Sequence, residues 1–136
     1  MNKIIIKVMN GTDAYRLGAL LELAAEYPAS MTVAEVARRR EIPATFLAHL
    51  LGELAREKLV VTTRGPRGGV RLAASPETIA LAPLLRPDPP PDGGGPAVLW
   101  LAQHLARAQE RALAPLRLES LLEVERERTG ASDFAI

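Results

Sequence analysis

Apolar positions along the chain follow helical spacing in several stretches and strand-like spacing in one. After Gly11, the residues Leu17, Leu20, Leu21 and Ala24 recur every three or four positions between Thr12 and Glu26, which places one apolar stripe on a first helix. Tyr27-Pro28 ends it, because the residue before a proline is driven out of helical geometry. Thr32-Val33-Ala34-Glu35 has the form of a capping box and opens a second helix that runs to about Arg40. Glu41-Ile42-Pro43 is a tight connection in which Ile42 plugs the core and Pro43 takes the first position of a third helix. Along that helix Phe46, Leu47, Leu50, Leu51 and Leu54 form the buried stripe. Thr45, Ala48, His49, Gly52 and Arg56 line another face, small and mostly uncharged.

The period then changes. Leu59-Val60-Val61-Thr62-Thr63 and Gly69-Val70-Arg71-Leu72 are β-type runs on either side of Arg64-Gly65-Pro66-Arg67-Gly68, a hairpin with a basic, glycine-rich tip. Ser75-Pro76-Glu77 supplies a cap, a first-turn proline and an acid for a fourth helix through Ile79, Leu81 and Leu84, which Pro83 should kink or shorten. Residues 86–96 are mostly proline and glycine with almost nothing to bury, and are expected to form an exposed linker. Beyond them Val98, Leu101, Leu105, Ala108, Ala112 and Leu116 repeat at three and four residues, the pattern of a long amphipathic helix in search of a partner. Leu118, Leu121 and Leu122 indicate a shorter helix after a break at Pro115. The expected fold is mainly α with a small β-hairpin: a winged helix-turn-helix over residues 1–85, the linker over 86–96 and a helical dimerisation segment over 97–136.

Composition narrows the chemistry. The chain of 136 residues has no cysteine, which excludes disulfides, thiolate zinc sites and Cys-ligated iron–sulfur clusters. Two histidines, His49 and His104, lie too far apart in sequence to suggest a metal or catalytic cluster, so no metal and no cofactor is expected. No pair of carboxylates, nucleophile–base set or phosphate loop has usable spacing, and Gly93-Gly94-Gly95 lacks the Lys-Ser/Thr that a phosphate loop needs; an enzyme is not expected. The apolar run at Ile4-Ile5-Ile6 is too short for a signal peptide or a membrane span, which points to a cytoplasmic protein. The formal net charge is only +1, yet Thr32 to Arg71 holds eight basic residues against four acidic ones. The positive charge is therefore concentrated in the block that carries the third helix and the hairpin.

Three helices followed by an arginine-tipped wing suit duplex DNA. A recognition helix must enter a major groove about 12 Å wide, and small residues such as Ala48 and Gly52 let its backbone come close. Thr45 and His49 are then the polar readers, Arg64 the candidate for the narrow minor groove, and Arg67, Arg71 and Arg39 the phosphate contacts. Arg38-Arg39-Arg40 also fits a plain solvated charge run, and the hairpin glycines fit turn geometry alone. Trp100 reads as a packing anchor of the long helix, and His104 as structural or exposed.

Tyr15-Arg16-Leu17-Gly18-Ala19-Leu20-Leu21-Glu22-Leu23-Ala24, Ile42-Pro43 with Phe46-Leu47 and Leu50-Leu51, and above all Arg64-Gly65-Pro66-Arg67-Gly68-Gly69-Val70-Arg71-Leu72-Ala73 resemble the Rrf2 family of bacterial winged-helix regulators. The resemblance covers most of the chain. It implies a transcriptional regulator, a repressor on a near-palindromic operator, whose hairpin arginine probes the minor groove and whose positions Thr45, Ala48 and His49 face bases. It also implies a homodimer joined through the long helix, here Ala97 to Leu113, with Val98, Leu101, Leu105, Ala108 and Ala112 at the contact.

The departures concern sensing. Several members hold an iron–sulfur cluster on three cysteines after the fourth helix, where this chain has only the Pro/Gly stretch from Arg86 to Pro96. Pro83 interrupts a helix that the family keeps whole, and Met1 to Val8 precede the usual family start near Met9 and are expected to be loosely attached. An effector, small molecule or protein, is not named by any motif; a small one has room between the linker and the dimer helix. The competing reading is a winged-helix protein–protein interaction module that has lost specific DNA binding, which the thin polar content of the third helix permits.

Overall fold

Asn10 opens the first helix reciprocally with Asp13. The Asn10 Oδ1 accepts the Asp13 amide at 2.8 Å while the Asp13 carboxylate accepts the Asn10 amide at 3.4 Å, so two donors orphaned at the helix start are satisfied. A computed structural model describes residues 9–66, 68–85, 89 and 92–134, with side chains through Thr129; Met1 to Val8 and Arg67 lie outside the described residues. Helix α1 (Gly11–Glu26) buries Leu17, Leu20, Leu21, Leu23 and Ala24. At α2 (Val33–Arg40) the Thr32 hydroxyl accepts the Glu35 amide at 3.1 Å, but the Glu35 carboxylate turns to Arg38 and Arg39. Only the threonine half of the expected capping box forms, because two guanidiniums attract the carboxylate away from the Thr32 amide.

Glu41, in left-handed geometry at φ 53°, and the buried Ile42 turn the chain into α3 (Ala44–Arg56). Pro43 stands one position outside this helix rather than at its start: its ψ of 128° is extended, and its carbonyl accepts the first helical bond from Leu47 at 2.9 Å. Leu47, Leu50, Leu51 and Leu54 are buried as expected; Phe46 is half-buried with its ring edge-on to Tyr15, centroids 5.5 Å apart.

Strands β1 (Val60–Thr63) and β2 (Gly69–Leu72) pair antiparallel, Val60 opposite Leu72 and Thr63 opposite Gly69. Val60, Val70 and Leu72 enter the core. No local pattern marks Met31, whose backbone exchanges two hydrogen bonds with Val70, at 2.8 and 2.7 Å, and so covers the outer edge of β2.

The fourth helix expected from Ser75-Pro76-Glu77 does not form. Two 3-10 turns, Pro76–Thr78 and Ala82–Leu84, flank an extended Ile79-Ala80. Pro83 lacks the donor a helix needs there, and the backbone of 79–81 bonds sideways instead: Leu81 donates to the Leu116 carbonyl at 3.2 Å and Leu118 to the Ile79 carbonyl at 2.8 Å. Ile79, Leu81 and Leu84 are nonetheless buried. Helix α4 (Gly95–Leu113) begins inside the expected linker, of which Pro89 and Asp92 to Gly94 are exposed and residues 86–88, 90 and 91 lie outside the described residues.

Helix α5 (Leu118–Phe134) returns to the N-terminal part. Leu118 and Leu122 are buried in one cluster with Leu20, Leu23 and Leu54, although the sequence had grouped them with the dimerisation segment. Arg40 fastens the same junction. Its Nε donates to Glu22 at 2.8 Å and its two terminal nitrogens grip both oxygens of Glu125 at 2.8 and 2.6 Å, linking the end of α2 to α1 and α5. The Glu125 hydrogen bond holds the Arg40 guanidinium above its ordinary pKa, against the opposing effect of burial. The fold is thus mainly α with a two-stranded wing and a long helix near the C-terminus.

If α5 belongs to this core, Leu118→Ala should cost about 2–5 kcal/mol, seen as a lower urea midpoint, whereas Val124→Ala on the exposed side of the same helix should stay within about 0.5 kcal/mol. Equal shifts for the two variants would contradict the packing.

Candidate nucleic-acid interface

The buried leucines of α3 leave no freedom in which side of the helix faces water. Thr45, Ala48, His49 and Arg56 are exposed on that side, with Gly52 half-exposed among them. His49 has its Nε2 3.2 Å from a Glu53 carboxylate oxygen one turn on, so its imidazole is held along the helix surface.

The hairpin tip is built by its glycines. Gly65 has φ 104°, which favours glycine, and its carbonyl accepts the Gly68 amide at 2.8 Å. A Cβ on Gly68 would collide with the Thr63 and Gly65 carbonyls, and one on Gly69 would lie 2.6 Å from the Met31 carbonyl oxygen. The glycines therefore satisfy turn and sheet geometry whatever the wing binds, and they leave Arg64, Gly65 and Pro66 exposed at the tip.

Helix and wing border one cleft. A space of about 370 Å³ is lined by Thr32, Ala48 and Gly52 on the helical side and by Thr62, Thr63 and Gly68 on the hairpin side. In the sequence Thr62 and Thr63 register only as strand formers. Their exposure follows from their place at the far end of β1, where Val60 alone is buried.

The remaining cationic positions divide. Arg71 faces the solvent side of the hairpin opposite Val61, half-buried, and donates to the Leu72 carbonyl at 3.3 Å. Arg39 lies within 3.2 Å of Glu26, 3.5 Å of Glu35 and 3.6 Å of Glu22, and the hydrogen bond to Glu26 raises its pKa above the ordinary value. Arg38 pairs with Glu35 at 3.2 Å. Much of the arginine run is thus occupied by carboxylates, two of them from α1, that sequence order does not bring near it.

The apolar repeat of the long helix is its outer face. Val98, Leu101, Leu105, Ala108 and Ala112 are all exposed, while Ala102, Ala106, Gln109 and Leu113 are half-buried on the other side, with Gln109 Nε2 donating to the Leu85 carbonyl at 2.7 Å. Trp100 does not anchor this helix within the chain. It is 61% exposed and stacks on His104, centroids 5.1 Å apart, because it falls on the outward side.

The Rrf2 family, described as an iron-dependent transcriptional regulator, matches residues 9–87. An Rrf2-like HTH-type transcriptional regulator of Rhodobacter capsulatus is 38% identical over 76 residues, covering 53% of this chain and 51% of that protein. IscR of Cereibacter sphaeroides is 34% identical over 74 residues, 52% of this chain and 48% of that one. The chain spans about half the length of these curated relatives. Among solved structures, T. potens IscR superposes with a TM-score of 0.76 at 20% identity, covering 88% of this chain and 89% of that one. CymR, the global cysteine regulator of B. subtilis, gives 0.70 at 22%, covering 85% and 96%.

Iron is the point on which the donor set disagrees with the family description. The chain has no cysteine, and no group of three His, Asp or Glu side chains able to hold a metal occurs among the described residues. The residues present do not fit an iron–sulfur cluster. The matched segment nonetheless contains α1 to α3 and the whole hairpin and makes up more than half of the sequence, so the chain belongs to the Rrf2 family of transcriptional regulators.

Proposed function

We propose that the protein is a homodimeric repressor that binds a near-palindromic DNA operator without a Cys-ligated iron–sulfur cluster. The observation that carries this reading is the shared cleft: the outer face of α3 and the hairpin line one solvent-open surface, as a duplex would require. Thr45 and His49 read base edges, with Ala48 and Gly52 permitting close approach of the helix, and Arg64 enters the adjacent minor groove. Arg67 and Arg71 neutralise phosphates. Arg39 does so only by exchanging a glutamate partner, which makes it the weakest contact of the set.

The dimer reading rests on α4, where Val98, Leu101 and Leu105 are 43%, 48% and 59% exposed along one stripe. An apolar stripe of this kind, repeating at three and four residues, is stabilised when a second copy covers it. Two wings held at a fixed separation then match two half-sites, and occupancy of such a site obstructs transcription. The His49–Glu53 contact favours one other reading, an interaction module without specific DNA affinity, since it withdraws the main polar reader.

Fluorescence anisotropy with duplex from the protein's own upstream region should show a specific complex whose affinity falls steeply with salt. Arg64→Ala should weaken it by about 1–3 kcal/mol; unchanged affinity removes Arg64 from the contact. Leu105→Glu should convert the dimer to monomer in sedimentation equilibrium with the fold retained by circular dichroism, and an unaltered mass would dismiss α4 as the interface.

A further inference from the structure

A cavity larger than the DNA-facing cleft lies away from it. It measures about 790 Å³ and opens between the first turns of α1, the Glu57-Lys58-Leu59 turn that leads into β1, and the 3-10 segment after β2. That volume is typical of small-molecule sites. Leu59, Ile79 and Leu84 supply an apolar wall, and Arg16 and Lys58 supply cations.

The charges are unevenly satisfied. Arg16 gives one terminal nitrogen to Glu57 at 2.8 Å, but its Nε is buried with no hydrogen-bond partner among the described residues. A buried donor left in this state costs free energy that an incoming acceptor recovers. Lys58, held in left-handed geometry at φ 63°, has no carboxylate within ion-pair distance among the described residues, whereas Asp13 is engaged by the α1 cap and Glu57 by Arg16. The cavity therefore combines an apolar surface with one buried donor that lacks an acceptor and an ammonium that lacks a carboxylate partner among the described residues.

We propose that it binds a small organic carboxylate with an apolar body. The ligand's carboxylate takes the Nε edge of the Arg16 guanidinium beside the Lys58 ammonium, and its body lies on Leu59, Ile79 and Leu84. Glu57, whose side chain is 49% exposed, is released to water at small cost. The turn that binds the ligand also joins the two DNA-facing elements: Leu59 donates to the Leu54 carbonyl at the end of α3, at 2.9 Å, and accepts the Ala73 amide from just beyond β2, at 3.0 Å. Occupancy thus biases the angle between helix and wing. This coupling rests on the DNA-binding reading above, but the site itself does not.

The test uses 2-naphthoate and its neutral amide, 2-naphthamide, as probes on the full chain by ¹H–¹⁵N titration. Naphthoate should shift the amides of Lys58, Leu59, Ala74 and Thr78 saturably, at about tenfold lower concentration than naphthamide. Lys58→Asn, which keeps a residue tolerant of left-handed geometry, should erase that preference with the fold unchanged. Equal binding of both probes, shifts confined to Trp100, Leu101 and Leu105, or no shift at millimolar naphthoate would each overturn the site. In a parallel titration naphthoate should weaken operator binding by the wild type and not by Lys58→Asn. DNA affinity indifferent to a saturated site overturns the coupling, whereas a wild type that binds no specific DNA defeats the repressor reading and leaves the carboxylate site standing.

Discussion

The burial of one leucine face of α3 against α1 is the constraint from which the rest follows. Leu47, Leu51 and Leu54 sit within the cluster formed with Leu20 and Leu23, Leu50 is also buried, and a helix pinned along one side can present only its opposite side to solvent. The same packing fixes the end of α3 and hence the turn at Lys58 and the origin of β1. The wing is then steadied from a second direction by the paired backbone of Met31 and Val70. Helix and wing share a cleft because both are anchored to this one core.

Elements whose signals are local were legible in the sequence. Leucine spacing identifies α1 and α3, the Glu41-Ile42-Pro43 connection bounds the turn between α2 and α3, and the Arg-Gly-Pro-Arg-Gly-Gly run marks the hairpin. The Asn10–Asp13 box was overlooked because its acid follows a glycine and a threonine and no apolar run, although the spacing is the same as at Thr32. The 3-10 segment was misjudged for a different reason. Cap, first-turn proline and buried aliphatics all favoured a helix, yet sideways bonding to Leu116 and Leu118, residues more than thirty positions onward, decided its backbone.

The arginines illustrate what charge counting misses. The basic block from Thr32 to Arg71 is real in sequence, but Arg39 and Arg40 are drawn to Glu22, Glu26 and Glu125 from α1 and α5. Part of the apparent cationic surface is internal mortar between helices. Outside those ion pairs Arg64 stays exposed at the wing tip, whereas Lys58 lines the larger cavity at the foot of the hairpin, away from the cleft.

Helix α4 is attached to the core by its final turn, through Leu113, and by the bonds that Leu116 and Leu118 just beyond it make to residues 79–81, while its first turns are exposed. At roughly 1.5 Å per residue its 19 residues form a beam about 28 Å long, clamped at one end. A rotation imposed at the free end acts on the clamped end, where α5 follows and is tied to α2 by the bidentate Arg40–Glu125 pair. A small change in the angle at which α4 leaves the core is therefore magnified along its length.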